Sequence, residues 1–249
     1  MNSAKKALRF VLCLMPVAAI GGWFIAKYQF ALLAPEVIES AAAQVGGMNT
    51  LIGITVLQTA FYAAVCGFFG YILSEKIGLM RPFRLESRPA LQTLLITVPA
   101  AILFSLDPWV FGKFLPEIAT VDEAGLSPDS WLASILYGGI IEEVMMRLFF
   151  MSLIAWLLWK IFFRKQAAVS EGVVIGANIA AATLFAAGHL PFTLSLFGRL
   201  TPVILLRCFL LNGGAGLIFG RLYRKYGIQY AMLSHVLFHI ISKTIWTLF

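Results

Sequence analysis

The sequence predicts an all-helical membrane protein, a polytopic bundle of about seven transmembrane helices. Sixty per cent of its 249 residues are hydrophobic and only 12% are charged, whereas a soluble domain carries about 25% charged residues. The mean hydropathy of +0.88 also exceeds that of a globular protein with one large core. We therefore expect residues 1–249 to form a single integral membrane domain.

Seven apolar segments of spanning length follow one another along the chain. A transmembrane helix needs about 20 predominantly apolar residues, and each segment meets this length. The gaps hold turn and charged residues and leave no room for a soluble domain. The predicted spans cover residues 7–33, 50–74, 90–112, 131–159, 171–190, 200–220 and 228–248.

Loop charge predicts that the N-terminus lies inside the cell and the C-terminus outside. Cytoplasmic loops of membrane proteins carry an excess of lysine and arginine. In this orientation the inside segments hold thirteen basic residues and the outside segments hold three. The net charge of +7 is then a property of the cytoplasmic loops and does not indicate nucleic-acid binding. We expect the inner membrane of a bacterial cell as the location.

Small and amide side chains within the spans predict close helix packing. Two glycine pairs have a four-residue spacing: Gly172 with Gly176, and Gly216 with Gly220. Small residues at this spacing let helix backbones approach closely in lipid. Asn178 and Asn212 are expected to form hydrogen bonds between helices.

Three ionisable residues lie near the middle of the fourth predicted span, in "GGIIEEVMMRLFFM", residues 138–151. Each charge at mid-bilayer costs about 2.5–3.5 kcal/mol on insertion scales, so three together require a compensating role. Glu143 and Arg147 are four residues apart, which predicts a structural ion pair on one helix face. Glu142 is rotated by about 100° from Glu143. We expect it to face a polar cavity, where desolvation makes a carboxylate a stronger base.

A structural alternative for this stretch is a buried salt bridge beside one protonated carboxyl group. The glycines at 138 and 139 have a separate expected role, one turn before the glutamates. They leave room for a neighbouring helix or a substrate backbone to come close.

All three histidines of the chain lie in the predicted spans or at their ends. In "TLFAAGHLPF", Phe185 and His189 are four residues apart. In "YAMLSHVLFHII", His235 and His239 have the same spacing. A lone histidine in an apolar helix is usually satisfied by a neighbour. Three of them beside a mid-membrane glutamate indicate a functional site, because ionisable groups are costly in the membrane.

Two hydrolytic reactions fit these residues. In the first, Glu142 accepts a proton from a water that attacks a carbonyl carbon, and His189 holds or polarises that water. His235 and His239 then stabilise the oxyanion or protonate the leaving group. In the second, the three histidines and Glu142 bind a metal such as zinc, which activates the water. The chain lacks the HExxH sequence of soluble zinc proteases, and the residues alone leave both reactions open.

These motifs resemble the signature of the CPBP family of intramembrane proteases, which includes CaaX prenyl endopeptidases and bacteriocin-processing or self-immunity proteins. The family pattern is EExxxR, FxxxH, and HxxxN or HxxxD on successive helices. The first motif is complete at residues 142–147 and the second at Phe185 and His189. The third begins at His235, but His239 stands where asparagine or aspartate is usual. The motifs cover about the C-terminal half of the chain.

The resemblance implies an endopeptidase that cleaves a membrane-associated protein or peptide inside the membrane, with a catalytic core in residues 131–249. By position, Glu142 and His189 correspond to the family's water-activating residues, and His235 and His239 to its oxyanion site. It favours a glutamate-dependent reaction without a cofactor, with zinc as the alternative. In a bacterium, a peptide precursor, a pheromone or a membrane protein is the expected substrate.

Two other functions stay open. A non-catalytic immunity or scaffold protein on the same fold is favoured by the departure at His239. A proton-coupled transporter would also use buried glutamate, arginine and histidine, but the sequence has no inverted repeat and no matched pair of broken helices.

The predicted spans place the site residues at different depths. His189 falls near the outer end of its span, whereas His235 is about 12 Å from the inner end of its own. A shared site then requires helix tilt or a break around "GHLPF", where Pro191 disfavours a continuous helix. The sequence does not determine on which face of the membrane the cavity opens.

Overall fold

The computed structural model describes residues 2–118 and 126–249, and these ranges contain helices and no strands. The predicted all-helical fold is therefore confirmed for this part of the chain. The helices are α1 (Ser3–Leu32), α2 (Pro35–Gln44), α3 (Met48–Lys76), α4 (Ser87–Phe104), α5 (Asp107–Phe111), α6 (Pro128–Phe162), α7 (Glu171–Gly188), α8 (Leu190–Phe197), α9 (Pro202–Tyr226) and α10 (Ile228–Leu248).

Within the described ranges, six helical stretches are long and apolar enough to cross a membrane, and α10 is not among them. At 21 residues α10 is long enough, but histidines, serines and a lysine lower its hydropathy. A helix buried in the bundle tolerates such residues because its neighbours, rather than lipid, surround them. The count of about seven spans is compatible with this arrangement.

A short helix that the apolar segments do not predict, α2, follows α1. It spans ten residues, half the length that a crossing needs. Pro35 stands in its first turn, where the missing N–H of proline carries no cost.

Buried hydroxyl groups join three helices in one half of the bundle. The Tyr223 hydroxyl donates to Ser74 Oγ at 2.7 Å and lies 2.8 Å from Ser152 Oγ. All three side chains are fully buried. Because each polar atom has a partner, this link between α3, α6 and α9 avoids the cost of an unsatisfied group in an apolar interior.

The glycines of α9 pack against α7, as predicted. A Cβ atom on Gly216 would lie 3.2 Å from the Ala182 Cα, and one on Gly220 would overlap the Asn178 side chain. Asn178 Nδ2 donates to the Leu217 carbonyl at 3.0 Å, which confirms its predicted hydrogen bond between helices.

Two packing predictions were wrong. Gly172 and Gly176 have no neighbouring atom of the described chain within 4 Å of an added Cβ, because they lie on the exposed side of α7. Asn212 Nδ2 donates to the Cys208 carbonyl at 3.1 Å, one turn earlier in its own helix. Spacing alone does not show which face of a helix meets a neighbour.

Candidate active site

A cavity of about 350 Å³ lies among α1 and α4 to α10. Its walls include Glu142, His189, His235 and His239. The structure thus brings the four residues predicted to be catalytic to one cavity, although they come from three segments of the chain.

The predicted orientations of the glutamates assume that they lie on a regular α-helix. The helix that carries them is irregular. Its central part is π-helical over Ser134–Glu142 and Val144–Met151. Most π-helices are single turns within α-helices, and they are frequent at functional sites. The local geometry around Glu142 and Glu143 is therefore wider than that of an α-helical turn.

Glu143 connects two of the sequence motifs. Its Oε1 atom lies 2.9 Å from Arg147 Nη1 and accepts a hydrogen bond from His235 Nδ1 at 2.8 Å. The Arg147 contact is the one that helical spacing predicts. The His235 contact, from α10, is new. Glu143 and Arg147 are 0% and 1% exposed, so neither charge is compensated by bulk water.

The hydrogen bonds assign the tautomers of the histidine pair. Because the Glu143 carboxylate only accepts, His235 carries its proton on Nδ1, and Nε2 is left with a lone pair. His239 Nε2 lies 3.1 Å from that atom and must donate to it. The pair forms a directed chain from His239 through His235 to Glu143, and the two rings stack at 4.9 Å.

His189 occupies the break between α7 and α8, not the end of a span as predicted. The apolar helical stretch continues to Phe197, because Pro191 falls in the first turn of α8, where proline is tolerated. His189 therefore lies within this longer stretch rather than at its end, and it lines the same cavity as His235. Its Nδ1 donates to the Phe185 carbonyl at 2.7 Å, which leaves the Nε2 lone pair available.

Aromatic rings surround the network. The Phe185 ring meets His189 edge-on at 4.7 Å and His235 at 6.0 Å. The Phe219 ring stacks on His235 at 4.4 Å. The Arg147 guanidinium carbon lies 4.6 Å from the Phe185 ring centre and 5.2 Å from that of Phe219. Cation–π contacts of this kind stabilise a desolvated charge by about 2 kcal/mol, and they fix the rings against which the histidines pack.

Glu142 differs from Glu143 in its burial, its access to the cavity and its hydrogen bonding. It is half-buried, lines the cavity and interacts electrostatically with Tyr137 and His235. Within the described residues, its carboxylate has no hydrogen-bond partner. A carboxylate in this position can accept a proton from a cavity molecule, whereas the Glu143 Oε1 atom is occupied.

The paired glycines let α10 approach α6 at the level of the histidines. A Cβ atom on Gly138 would lie 2.9 Å from His239 Nε2, and one on Gly139 would lie 2.3 Å from Val236 Cγ2. The sequence allows either a neighbouring helix or a substrate backbone to pack against these glycines. In the structure, the neighbouring helix α10 does so.

The donor geometry does not fit a zinc site. A catalytic zinc needs three protein ligands around one point. No group of three or more histidine, cysteine or acidic side chains in the described ranges has such an arrangement. Both ring nitrogens of His235 are engaged, by Glu143 and by His239. No step is therefore derived through a metal.

Several polar residues of the cavity wall were missed as site residues, among them Tyr28, Asp107, Arg207 and Lys243. Arg207 Nε donates to Asp107 Oδ1 at 2.8 Å, and Lys243 Nζ donates to Ser130 Oγ. The cost of a charge within a span could have flagged Arg207, but its partner lies a hundred residues away in the sequence.

A helical bundle with a buried carboxylate–histidine network beside a cavity defines a multi-pass membrane protein with an intramembrane site. Residues 126–241 match the family model described as type II CAAX prenyl endopeptidase Rce1-like. This match confirms the predicted resemblance to the CPBP family of intramembrane proteases over that part of the chain. The match contains all of the predicted site residues. Comparisons with curated proteins and with solved structures give no match.

Proposed function

We propose that the protein is an intramembrane endopeptidase that hydrolyses a peptide bond of a membrane-associated protein or peptide. The observation that carries this proposal is the cavity shared by Glu142 and His189. Each presents an unpaired acceptor, a carboxylate and a ring nitrogen, and together these can position one water molecule. The family match adds the reaction class, that of a membrane peptidase.

In the proposed reaction, Glu142 accepts a proton from water while the water oxygen attacks the carbonyl carbon of the substrate. His189 Nε2 accepts a second hydrogen bond from the same water and orients it. The carbonyl oxygen becomes an oxyanion, then the C–N bond breaks and Glu142 returns the proton to the leaving amine. General base catalysis of this kind contributes about 10²–10⁴-fold.

The oxyanion is assigned to the His239 Nε2–H group, with His235 behind it. In the absence of substrate, that N–H is directed at His235 Nε2, a neutral acceptor. During the reaction the oxyanion takes the place of this acceptor, and a hydrogen bond to a charged acceptor is stronger. Glu143 holds His235 in the matching tautomer. A histidine can thus supply the donor that asparagine supplies elsewhere in the family.

The partners that follow are a peptide or protein substrate and the lipid bilayer. We propose the inner membrane of a bacterium as the location, with no cofactor and no nucleic acid involved. Zinc is the alternative, and the chelator arm of the experiment below distinguishes the two.

The test is cleavage of candidate peptides by purified protein in lipid, comparing wild type with Glu142→Gln, His189→Ala and His235→Ala. Glu142→Gln keeps the side-chain volume and removes the base, so we expect kcat to fall by about 10²–10⁴-fold. The matched control is Glu39→Gln, which changes an exposed glutamate of α2 and is expected to retain full activity.

Cleavage that survives Glu142→Gln would contradict the proposed mechanism. Loss of activity with chelator and its return with zinc would select the metal-dependent version. A wild type that cleaves no substrate would favour the non-catalytic immunity or scaffold protein.

A further inference from the structure

The long helices of the bundle end at two opposite faces. Polar contacts tie helix ends together at the face where α1 begins: Lys6 with Glu75, Arg224 with Glu171, and Gln229 with the Pro82 carbonyl. We call this the basic face. The opposite face, where α10 ends, we call the cavity face; there Lys27 lies 2.7 Å from Asp129.

Charge is distributed unequally between the two faces. By sequence, the segments at the basic face, 1–9, 75–88, 160–171 and 221–227, hold thirteen basic and three acidic residues. The described segments at the cavity face, 27–48, 104–118, 126–130, 191–207 and 242–249, hold five basic and five acidic residues. Lysine and arginine near span ends set the orientation of a membrane protein. The basic face is therefore the cytoplasmic one.

The cavity extends from the site residues towards the cavity face. On α10 its wall runs from His235 to Trp246, about 16 Å at 1.5 Å per residue, and α10 ends two residues later. On α9 the wall starts at Arg207, in the second turn of the helix, and ends at Phe219. On α6 the wall stops at Glu142. On α6 and α10 the wall thus lies wholly or mostly in the half nearer the cavity face, whereas on α9 it extends beyond the midpoint of the helix.

In the other half of the bundle, the side chains that face the interior are buried. Beyond Glu142 the next turns of α6 place Arg147 and Leu148 in the interior, at 1% and 0% exposed. Tyr223, Ser74 and Ser152 form the buried hydroxyl link between helices. No residue of this layer lines the cavity, so the site has no described connection to the basic face.

The cavity wall near the cavity face carries polar side chains that can hydrogen-bond to water. The Arg207 side chain stays 19% exposed while paired with Asp107. Gln29 and Ser242 line the same region. An extended peptide can enter such a mouth with its backbone hydrated and lose that water only next to the glutamate and histidines.

From these observations we infer that the active site is reached from the outer face of the membrane. The substrate class is then exported peptides and outward-facing segments of membrane proteins, not cytoplasmic polypeptides. The assignment of a substrate class rests on the proposed function. The direction of access does not, because it follows from helix ends, charge and cavity walls.

The test measures access with a membrane-impermeant maleimide, without any activity assay. Single variants Ser242→Cys and Gln29→Cys place a thiol in the cavity wall on two different helices. Lys165→Cys places one in the basic-face linker between α6 and α7, as the control. Spheroplasts that express each chain are labelled before or after permeabilisation, and mass spectrometry separates the new thiols from the native cysteines 13, 66 and 208.

We expect the two cavity thiols to react in intact spheroplasts, and Lys165→Cys to react only after permeabilisation. Agreement of two cavity positions guards against one variant that folds poorly. Cavity thiols that react only after permeabilisation, or in neither condition, would overturn the inference, as would Lys165→Cys labelled from outside. Correct labelling combined with an inactive wild type would overturn the proposed function and leave the direction of access intact.

Discussion

At the scale of single residues, Glu143 has a larger role than its spacing to Arg147 indicates. One oxygen, Oε1, accepts from Arg147 and from His235. Removing one partner of a buried charged pair typically costs about 3–5 kcal/mol, since the other charge stays uncompensated. We therefore expect Glu143 both to position His235 and to stabilise the fold, so activity lost on its substitution would not by itself identify a catalytic group.

The residue most specific to this chain is His239, and the first prediction concerns it. His239→Ala removes the N–H that donates to His235 Nε2, so kcat should fall by about 10²–10³-fold, as on loss of an oxyanion donor. His239→Asn keeps a donor and restores the usual residue of the family, so it should retain most of the activity. Single-turnover rates on one peptide substrate measure both.

A structural role for His239 predicts a different result. The thermal unfolding midpoint in detergent would then fall for both variants in parallel with their rates. Rates for His239→Ala equal to those of wild type would exclude it from the oxyanion site.

The residue-scale predictions succeed where a contact is local. The contact of Glu143 with Arg147 depends only on one helical turn, which spacing defines. The contact of Glu143 with His235 spans 92 residues and depends on how α6 and α10 pack. No periodicity in either segment contains that information, so the sequence alone could list the histidines and not their order in the network.

At the scale of elements, the crossing of α6 and α10 sets the geometry of the site. Val236 faces Gly139, and His239 faces Gly138, so the two backbones meet where α6 is π-helical. Close approach of this kind needs residues without a side chain, as in other membrane helix pairs. The glycines thus hold the histidine pair over the glutamates.

The second prediction concerns the effect of adding one methyl group at this crossing. In Gly139→Ala the new Cβ would overlap Val236, so the helices must separate, at a cost of about 1–3 kcal/mol for overpacking. We expect a lower unfolding midpoint in detergent and reduced activity. Gly172→Ala is the control, because nothing lies within 4 Å of its Cβ.

Shortening the residue across the interface should reverse the effect. The double variant Gly139→Ala with Val236→Ala is expected to recover most of the lost stability. A Gly139→Ala protein as stable as Gly172→Ala would show that the two helices do not meet as described.

Element boundaries could be predicted only as far as hydropathy determines them. The apolar segments locate every long helix, since burial in lipid demands an apolar surface. Hydropathy ended the fifth span at residue 190, although the apolar stretch continues through Pro191 to Phe197. It also gave no sign of α2 or of the π-helical turns, which depend on backbone hydrogen bonding rather than on side-chain polarity.

At the scale of the whole molecule, the family match and the cavity cover different parts of the chain. The match begins at residue 126, yet Tyr28 of α1 and Phe104 of α4 also line the cavity. The residues proposed to be catalytic and part of the cavity wall thus come from different regions of the sequence. This division predicts that α1 influences which substrates are cleaved, while α6, α7 and α10 perform the reaction.

The third prediction separates these two contributions. Tyr28→Ala enlarges the cavity about one turn of α10 beyond His239, near Lys243, whose Nζ lies 5.8 Å from the Tyr28 ring. No bond of the Glu143–His235–His239 network is touched. We expect the ranking of peptide substrates by kcat/KM to change, with KM moving more than kcat. Trp23→Ala is the control on the same helix, because Trp23 is 47% exposed on the outside of the bundle.

Opposite results would identify a different arrangement. An equal loss of kcat for every substrate on Tyr28→Ala would mean that α1 supports the reacting groups themselves. An unchanged ranking would mean that substrates bind without reaching α1, from the α7 and α9 side of the cavity. The outer-face access inferred above requires the substrate to pass between Tyr28 and the end of α10, so a changed ranking and labelling of Gln29→Cys from outside should occur together.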